Sequence, residues 1–513
     1  MNRYFTQNIN YNTVFIGYYC GLYVLNYPKY SAMKKKNSVK FLTIFNSFSE
    51  TEKKEFYFFV KSSLSKTGRD FRAIIDKLDK GAEGVIELQN MYNNRTIWNR
   101  LSELTRVAEK FLVIKELTED KQGYSLLLLR QLRKRKLHKT YDSFYYKSEK
   151  ELMDAPVSYE AFKKLSELTQ EKLSYVLAKG SMRDFQAAYK ETSNYRIVWF
   201  LLDYLSQLTE LAQQKFNNLG ECNLLAEKLF GTVNFEKLLT EIEKDYAPFY
   251  PYIALQYYVL MGMLNIKENK YYVKAKEIFI SNTKKFSNEY KTIVYFMLIN
   301  YCLNVRNLKI MDVDDELFSL YDSKLKEGLY DDLTATNVTL NHFRDYIIIA
   351  LNLGKYDWVN NFIRKYVPLL PEEYRDNDTK IGYALLHFSK KEYKTALKYV
   401  KDVSRNNYLR YMDSSRISVI CNYELFEYEK CYSELDSLKH YFIRQENIPV
   451  LTKQLVKNFI VLVSLLLHCT DSPEPARMDR IDIEIKKNRP TLALKWIKEK
   501  IALLKNTADK RKK

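Results

Sequence analysis

The chain has 513 residues, of which 46% are hydrophobic, so it can bury a large core and is not a disordered tail. Its 13 glycines and 10 prolines are few, which excludes folds that need many tight turns or glycine-rich phosphate loops and favours long helices. The formal net charge of +19 is uneven, because residues 1–150 hold 28 Lys and Arg against 15 Asp and Glu, which is 28 − 15 = +13, whereas the last nine residues hold +4.

Residues 1–32 fit no clear class of segment. The stretch at residues 12–25 is apolar, but its 14 residues fall short of the roughly 20 that a membrane helix requires, and no cleavage site typical of a signal peptide follows it. We therefore interpret residues 1–32 as an uncertain leader or an over-read upstream of a start at Met33. The alternative is an interfacial membrane segment beside the lysines at 34–36.

Residues 33–150 are predicted to form a basic helical N-terminal module. Ser49 and Glu52 stand at the spacing of a capping box, and Phe56 and Phe59 follow on one helical face. Further along, apolar residues recur at intervals of three and four over residues 97–112. These patterns predict stacked amphipathic helices with a strongly cationic surface.

A run of cations occurs in the sequence LLLLRQLRKRKLHKTYDSFYY at residues 126–146. On a straight helix these cations point in every direction, which favours the basic end of a packed helix over a recognition helix in a groove. The charge of the module nevertheless favours attraction to phosphate backbones or anionic surfaces at low salt. The aromatic residues at 141 and 144–146 could stack on bases, but we expect them mainly to pack. The candidate nucleic-acid or anion contacts are Arg130, Arg133, Lys134, Arg135, Lys136 and Lys139.

Residues 151–245 are predicted to be a helical connecting region and residues 246–470 to be helical repeats. Four stretches share a tyrosine, two residues, a small side chain, three residues and a larger apolar one. Tyr356, Tyr393 and Tyr428 lie 37 and 35 residues apart, and Tyr272 lies 84 residues before Tyr356, which is two units of 42. The pairs of tyrosine and small residue, which we expect to pack each repeat, are Tyr272 with Ala275, Tyr356 with Val359, Tyr393 with Ala396 and Tyr428 with Cys431.

This pattern resembles the tetratricopeptide repeat (TPR), a pair of antiparallel helices of 34 residues. Ala275 and Phe279 match the A-x3-F of its second helix, whereas Met263, Ile347 and Val419 stand where its first helix carries a small residue. The resemblance covers about residues 250–445 and implies a degenerate, TPR-like array. The implied fold is all-α, a right-handed alpha-solenoid of antiparallel helix pairs behind the basic N-terminal module. Such arrays commonly present a groove to protein or peptide partners.

The end of the chain is predicted to close the array. Residues 471–505 are assigned to C-terminal capping helices, because Leu492, Trp496, Ile497 and Ile501 share one face and lysines occupy another. Residues 506–513 form a basic tail. The stretch RIDIEIKK at residues 480–487 alternates like a strand but has no candidate partner strand.

No motif for catalysis or cofactor binding is found, so we predict no cofactor, no metal site and no enzymatic activity. Nucleotide-loop signatures are absent, and Cys421, Cys431 and His440 are too few and too scattered for structural zinc. The acidic cluster at residues 312–316 lacks the glycine and the glutamate of a calcium loop. The six cysteines form no CxxC pair, which favours free thiols in a reducing, cytoplasmic compartment.

The sequence therefore favours a non-enzymatic helical-repeat scaffold or adaptor that binds a protein or peptide, without a membrane span. The alternative is a nucleic-acid or nucleoprotein adaptor acting through the basic N-terminal module. A third reading is an enzyme whose site is assembled across repeats. The oligomeric state is left open.

Overall fold

We describe a computed structural model of the chain, which covers residues 36–62, 65, 69, 71–80, 82–216, 225–329, 340–404, 406–445, 448, 450–471, 475–487 and 491–512. Every named element in these ranges is helical, and they contain no β-strand. The predicted all-α class is confirmed. The prediction for residues 1–32 lies outside the described residues.

The described chain divides into two compact units. The N-terminal unit comprises described residues within 18–155 and 160–197, and the C-terminal unit those within 156–159 and 198–513. The finer segment limits predicted at 150, 245 and 470 stay predictions.

The N-terminal unit is built from helices whose ends carry the signals expected from the sequence. The capping box is confirmed, since the Ser49 N–H donates to Glu52 Oε2 at 2.8 Å and the Glu52 N–H donates to Ser49 Oγ at 3.2 Å. Phe41, Phe56 and Phe111 lie in one aromatic core. The helices are α1 (Lys36–Asn46), α2 (Glu50–Lys61), α3 (Arg72–Leu78), α4 (Ala82–Met91), α5 (Asn94–Glu119), α6 (Lys121–Lys134), α7 (His138–Asp154), α8 (Tyr159–Lys179) and α9 (Met182–Phe216), which continues into the C-terminal unit.

The C-terminal unit continues with helices in pairs. They are α10 (Leu225–Thr232), α11 (Phe235–Asp245), α12 (Tyr250–Leu264), α13 (Asn269–Asn282), α14 (Asn288–Asn307), α15 (Asp314–Lys326), α16 (Leu340–Asn352), α17 (Tyr356–Tyr366), α18 (Glu372–Ser389), α19 (Tyr393–Val400), α20 (Tyr408–Glu424), α21 (Tyr428–Arg444), α22 (Val450–Asp471), α23 (Pro475–Lys486) and α24 (Leu494–Lys512). The alternating stretch at 480–487 thus lies mainly in a helix, and α24 includes residues of the predicted basic tail.

Three hairpins, α16–α17, α18–α19 and α20–α21, share one turn. The first helix is followed by a residue with left-handed backbone, at φ 67° for Gly354, 62° for Lys391 and 64° for Phe426. In each turn the next residue donates its N–H to the carbonyl five residues earlier, at 2.9 Å in all three. This bond, together with a second backbone bond over fewer residues, satisfies carbonyls at the end of the first helix that have no partner within the helix. The second helix begins two residues after the left-handed residue, at the repeat tyrosine.

A further hairpin, α14–α15, fills the 84-residue interval between Tyr272 and Tyr356. Lys309 has the left-handed backbone at φ 55°, and the Ile310 N–H donates to the Val305 carbonyl at 3.1 Å, so the turn is of the same type. The second helix begins at Asp314, five residues after Lys309 instead of two. The longer connection explains why this hairpin lacks the tyrosine pattern.

Successive hairpins pack on one another. α16 contacts α17 and α18, α18 contacts α19 and α20, and α20 contacts α21, while α12, α13 and α14 are also in mutual contact. Ala275, Val359, Ala396 and Cys431 are each fully buried. The Cys431 thiol donates to the Val419 carbonyl at 3.3 Å, which brings α21 close to α20. A small side chain at this position therefore permits the close approach of the two helices.

The long apolar helix α22 belongs to the core of the C-terminal unit. Within the described residues it is the one helix long and apolar enough to cross a membrane, but half of the apolar window is buried in the protein. Phe459, Val463 and Leu466 are each 0% exposed and share a core with Ile497 of α24. These contacts are those of a core helix.

Candidate functional site

Charged side chains cluster on the first helices of the three hairpins that share a turn. α16 and α20 are largely buried, and α18 buries Asp378 together with the stretch around Gly382, so charges at these positions are unusual. Buried charges of this kind are either structural ion pairs or parts of a site. The cluster, which we call the polar cluster, consists of Arg344, Asp345, Asp378, Arg410, Asp413 and Arg416.

The central contact of the polar cluster joins α16 to α20. Arg344 donates from Nε to Asp413 Oδ2 at 2.5 Å and from Nη2 to Asp413 Oδ1 at 3.1 Å, a bidentate pair. Asp413 is 1% exposed and also lies 3.5 Å from Arg416 Nη2. Since α18 contacts both α16 and α20, this ion pair connects first helices that are two hairpins apart.

A second buried pair joins α18 to α20. Arg410 Nε donates to Asp378 Oδ1 at 3.0 Å, and Arg410 Nη2 lies 2.8 Å from Asp378 Oδ2. Both residues are 6% exposed. Asn407 starts α20 by accepting the N–H groups of Leu409 and Arg410, which fixes the first turn that carries Arg410.

Gly382 on α18 makes room beside these pairs. A Cβ added there would lie 3.0 Å from Ile363 Cδ1 and 3.2 Å from Ile347 Cδ1, tighter than ordinary contacts. The space beside Gly382 is a cavity of about 20 Å³, which is enough for about one water molecule. Its walls combine the two ion pairs with apolar side chains, namely Phe343, Ile347, Ile381, Leu385 and Leu409.

Burial and the neighbouring arginines shift the pKa values of the three carboxyl groups in different directions. Burial raises the pKa of Asp345 to about 7, although Arg344, with Nη1 at 3.4 Å, favours the charged form. Burial also raises the pKa of Asp378 against the opposing effect of Arg410. Burial acts on Asp413 in the same direction, but Arg344 and Arg416 outweigh it and hold the pKa below its ordinary value. Near neutral pH the polar cluster therefore has a fixed Asp413 charge and a titratable Asp345.

The residues predicted to pack the repeats lie in the same unit but not on the cavity. None of the eight lines it, and their tyrosines contact a first helix, either of the same hairpin or of the next one. Tyr356 OH donates to the Ser389 carbonyl at 3.5 Å, and the Tyr272 ring stacks on Tyr301 at 4.6 Å. Tyr428 lies beside Tyr423, at 5.5 Å between ring centroids.

The sequence interpretation missed the polar cluster. No local signal identified it, because Arg344 stands beside Asp345 and Asp413 opens the polar run DSSR at residues 413–416. The two residues are 69 positions apart, so only the packing of the hairpins shows that they pair.

The cations predicted to contact nucleic acid lie at the junction of α6 and α7. Arg133 donates from Nε to Glu171 Oε1 at 2.6 Å, and Arg130 Nε lies 3.6 Å from Glu171 Oε2. Glu171 is 5% exposed, so this contact joins α6 to α8 through a buried carboxylate, although Arg130 itself is exposed. Lys134, Arg135, Lys136 and Lys139 are exposed as well.

The neighbouring aromatic residues pack in the N-terminal unit. Tyr141 is 1% exposed and stacks on Tyr175 at 3.8 Å, and Tyr145 is 2% exposed. Neither ring is available to a base. Tyr146 is 63% exposed.

The described residues contain no group of three or more His, Cys, Asp or Glu side chains placed to hold a metal ion. Cys302, Cys421, Cys431 and Cys469 are buried thiols that form no disulfide. Comparison of the chain with protein-family models, curated proteins and solved structures gives no match. The function is therefore argued from the chain's own geometry.

Proposed function

We propose that the C-terminal unit is a non-enzymatic, TPR-like platform that binds a protein or peptide partner. In this proposal the hairpins from α12 to α21 form a right-handed alpha-solenoid, and α22 to α24 close its end. The observation that carries the proposal is the shared turn of three hairpins, which sets a tyrosine and a small residue in the same register each time. A repeated turn with a repeated crossing generates a stack of equivalent units.

The polar cluster supports a recognition role for the first helices. In such arrays the first helices line the inner surface, where partners bind. The buried Asp413 orients the guanidinium groups of Arg344 and Arg416 there, whose side chains are 23% and 18% exposed, on rigid helices. These groups would give partner binding specificity more than affinity. The cost of desolvating a charge is offset only when the geometry of its contacts is good.

Two features weigh against a catalytic site at the polar cluster or at Cys421 and Cys431 of the C-terminal unit. The cavity at the polar cluster has a volume of only about 20 Å³, far below the roughly 300 Å³ or more of common ligand pockets. Burial raises the pKa of Cys421 and Cys431 to about 12, which removes the thiolate needed for nucleophilic catalysis. Protonated, buried thiols also fit the cytoplasmic location that we propose.

The proposal is tested by comparing the partners captured by three forms of the full chain in native lysate. The cavity variant carries Arg344→Met with Asp413→Leu, and a control carries Lys430→Met with Glu427→Leu, an exposed pair at 3.2 Å in the same unit. Proteins captured by the wild type and the control should be lost from the cavity variant. An unchanged set of captured proteins, with all three forms equally helical by circular dichroism, would contradict the proposed recognition surface.

A further inference from the structure

The tip of the hairpin α6–α7 in the N-terminal unit displays four cations within six residues. Lys134 ends α6, Arg135 and Lys136 form the turn, and Lys139 lies in the first turn of α7. We call these four residues the basic tip. All four are exposed.

The backbone of the basic tip is held in one conformation. Lys136 has φ 57°, its N–H donates to the Arg133 carbonyl at 3.0 Å, and the Leu137 N–H donates to the Leu132 carbonyl at 3.0 Å. This is the same turn as in the repeat hairpins, so the left-handed backbone of Lys136 is a consequence of the turn and not itself a sign of function. Its effect is to fix the positions from which the four cations project.

The charges of the basic tip are not neutralised by the described part of the chain. Glu171 is occupied by Arg133 and Arg130 beneath the tip. The Arg135 guanidinium donates to the backbone carbonyl of Gln131 at 3.3 Å. Within the described residues, no member of the basic tip lies within ion-pair distance of a carboxylate. Four neighbouring, unpaired cations produce a strongly positive local potential.

The surroundings of the basic tip decide which polyanion fits it. The rings of Tyr141 and Tyr145 are buried, and the exposed Tyr146 lies seven residues beyond Lys139, about two turns along α7, so unstacked bases have no aromatic platform at the tip itself. Leu137 is the exposed apolar residue within the tip, at 46%, and one leucine offers little surface for insertion into a membrane. Phosphates at regular intervals, with the bases turned inward, match these features best.

We propose that the basic tip binds the phosphate backbone of double-stranded nucleic acid without reading its sequence. This activity belongs to the N-terminal unit and goes beyond the partner binding proposed for the C-terminal unit. The two can therefore fail independently. The charge of +13 over residues 1–150 adds long-range attraction to the same partner.

The first test measures binding of the full chain to labelled DNA and RNA duplexes of mixed sequence by fluorescence anisotropy. Between about 50 and 200 mM salt, the logarithm of the binding constant should fall with the logarithm of salt concentration, with a slope of about −0.9 per phosphate contacted. A variant with Lys134, Arg135, Lys136 and Lys139 each changed to Gln should bind at least about tenfold more weakly at 50 mM salt and show a slope smaller by about 3 to 4. Unchanged affinity and slope would overturn the proposal.

A matched pair of single variants separates the local role of the tip from the total charge. Lys136→Gly and Lys391→Gly each remove one exposed lysine from a left-handed position, with φ 57° and 62°, in the same type of turn. Glycine relieves the same backbone cost at both positions, so neither variant should unfold. We expect Lys136→Gly to reduce the salt slope by about 1 and Lys391→Gly to leave it unchanged. Equal losses in the two variants would show that total charge, not the tip, is responsible.

A membrane surface is the competing partner and is tested in parallel. Phosphatidylcholine vesicles with and without phosphatidylserine are sedimented with the wild type and with the fourfold variant. Tip-dependent binding to the phosphatidylserine vesicles, together with no binding to either duplex at 50 mM salt, would overturn the nucleic-acid proposal. Duplex binding that depends on the tip supports it, whatever the vesicles show.

Discussion

Residues other than glycine occupy the left-handed positions of several turns in this chain. Phe426 has φ 64° and is 78% exposed, so its side chain gains little from packing while its Cβ strains the backbone. We expect Phe426→Gly to increase the free energy of unfolding by about 0.5–1 kcal/mol, measured by urea denaturation. Phe426→Ala is the control, because it removes the same ring but keeps the Cβ. An equal gain in both variants would assign the effect to the ring and not to the backbone.

Asp345 makes the stability of the C-terminal unit depend on pH. Burial raises its pKa to about 7, whereas the unfolded chain titrates near 3.9. Between these values the folded protein holds a proton that the unfolded chain has released, so this contribution to stability is full below about pH 4 and is lost as the pH rises to about 7.

The variant Asp345→Asn tests this titration, because the amide cannot lose a proton. From pH 5 to pH 7 the wild type should lose stability relative to the variant, by up to about 1 kcal/mol per pH unit, with little further change above pH 8. Urea denaturation of both proteins at each pH gives the difference, in which the effects of Asp378 and Asp413 cancel. A difference that stays constant with pH would contradict the raised pKa of Asp345.

At the residue scale, the sequence pattern indicates recurring small positions but not the charged pairs. It singles out Ala275 and Cys431, because a small residue three positions after a tyrosine recurs along the chain. Arg344 and Asp413 have no such local signature, since each forms an ion pair with a helix two hairpins away. A periodic pattern marks positions that recur in each hairpin, whether they contact the same hairpin or the next one, as Tyr272 contacts Tyr301. The partner of a charge on α16 depends instead on the spatial arrangement of the hairpins.

At the scale of elements, the ion pair between α16 and α20 should stabilise the packing of the hairpins that it connects. Removing either partner leaves the other charge with one longer contact, Arg416 at 3.5 Å from Asp413 or Asp345 at 3.4 Å from Arg344. Arg344→Met or Asp413→Leu should therefore each cost about 3 kcal/mol of unfolding free energy, the lower end of the cost of breaking a buried pair. The double variant should recover part of that loss, because apolar side chains replace both charges, whereas Asp345 and Arg416 each lose a neighbour of opposite charge. Urea denaturation of the four proteins gives the coupling energy.

The control is a second double-mutant cycle on the pair of Lys430 and Glu427, whose side chains are 64% and 51% exposed. Its coupling energy should be much smaller, because water screens both charges. Equal coupling energies in the two cycles would show that burial does not strengthen the ion pair of Arg344 with Asp413.

The sequence patterns did not predict the structure of two elements. The hairpin α14–α15 was not found because its second helix starts three residues later than in the others, which breaks the register of the tyrosine pattern. In the stretch RIDIEIKK the alternation of apolar and charged residues is typical of a strand, yet residues up to Lys486 lie in α23, where Ile481 is buried. Packing against the core containing α22 decides the structure of this short segment.

At the scale of the whole molecule, the proposed array and a single cooperative core predict different responses to a local defect. In an array, stability is the sum of the intrinsic stabilities of the hairpins and of their interfaces with immediate neighbours. A defect at one interface therefore weakens the nearest hairpins most. In one cooperative core, the same defect lowers the protection of every core helix together.

Hydrogen–deuterium exchange of Arg344→Met, read by mass spectrometry on peptides from each helix, distinguishes the two. Because Arg344 joins α16 to α20, we expect exchange to accelerate most in α16 to α20 and progressively less toward α12 and α13. Helices α6 and α7 belong to the other compact unit and should keep wild-type rates. An equal acceleration in every helix from α12 to α22 would contradict the array, since only a single folding unit distributes one lost ion pair evenly over all its elements.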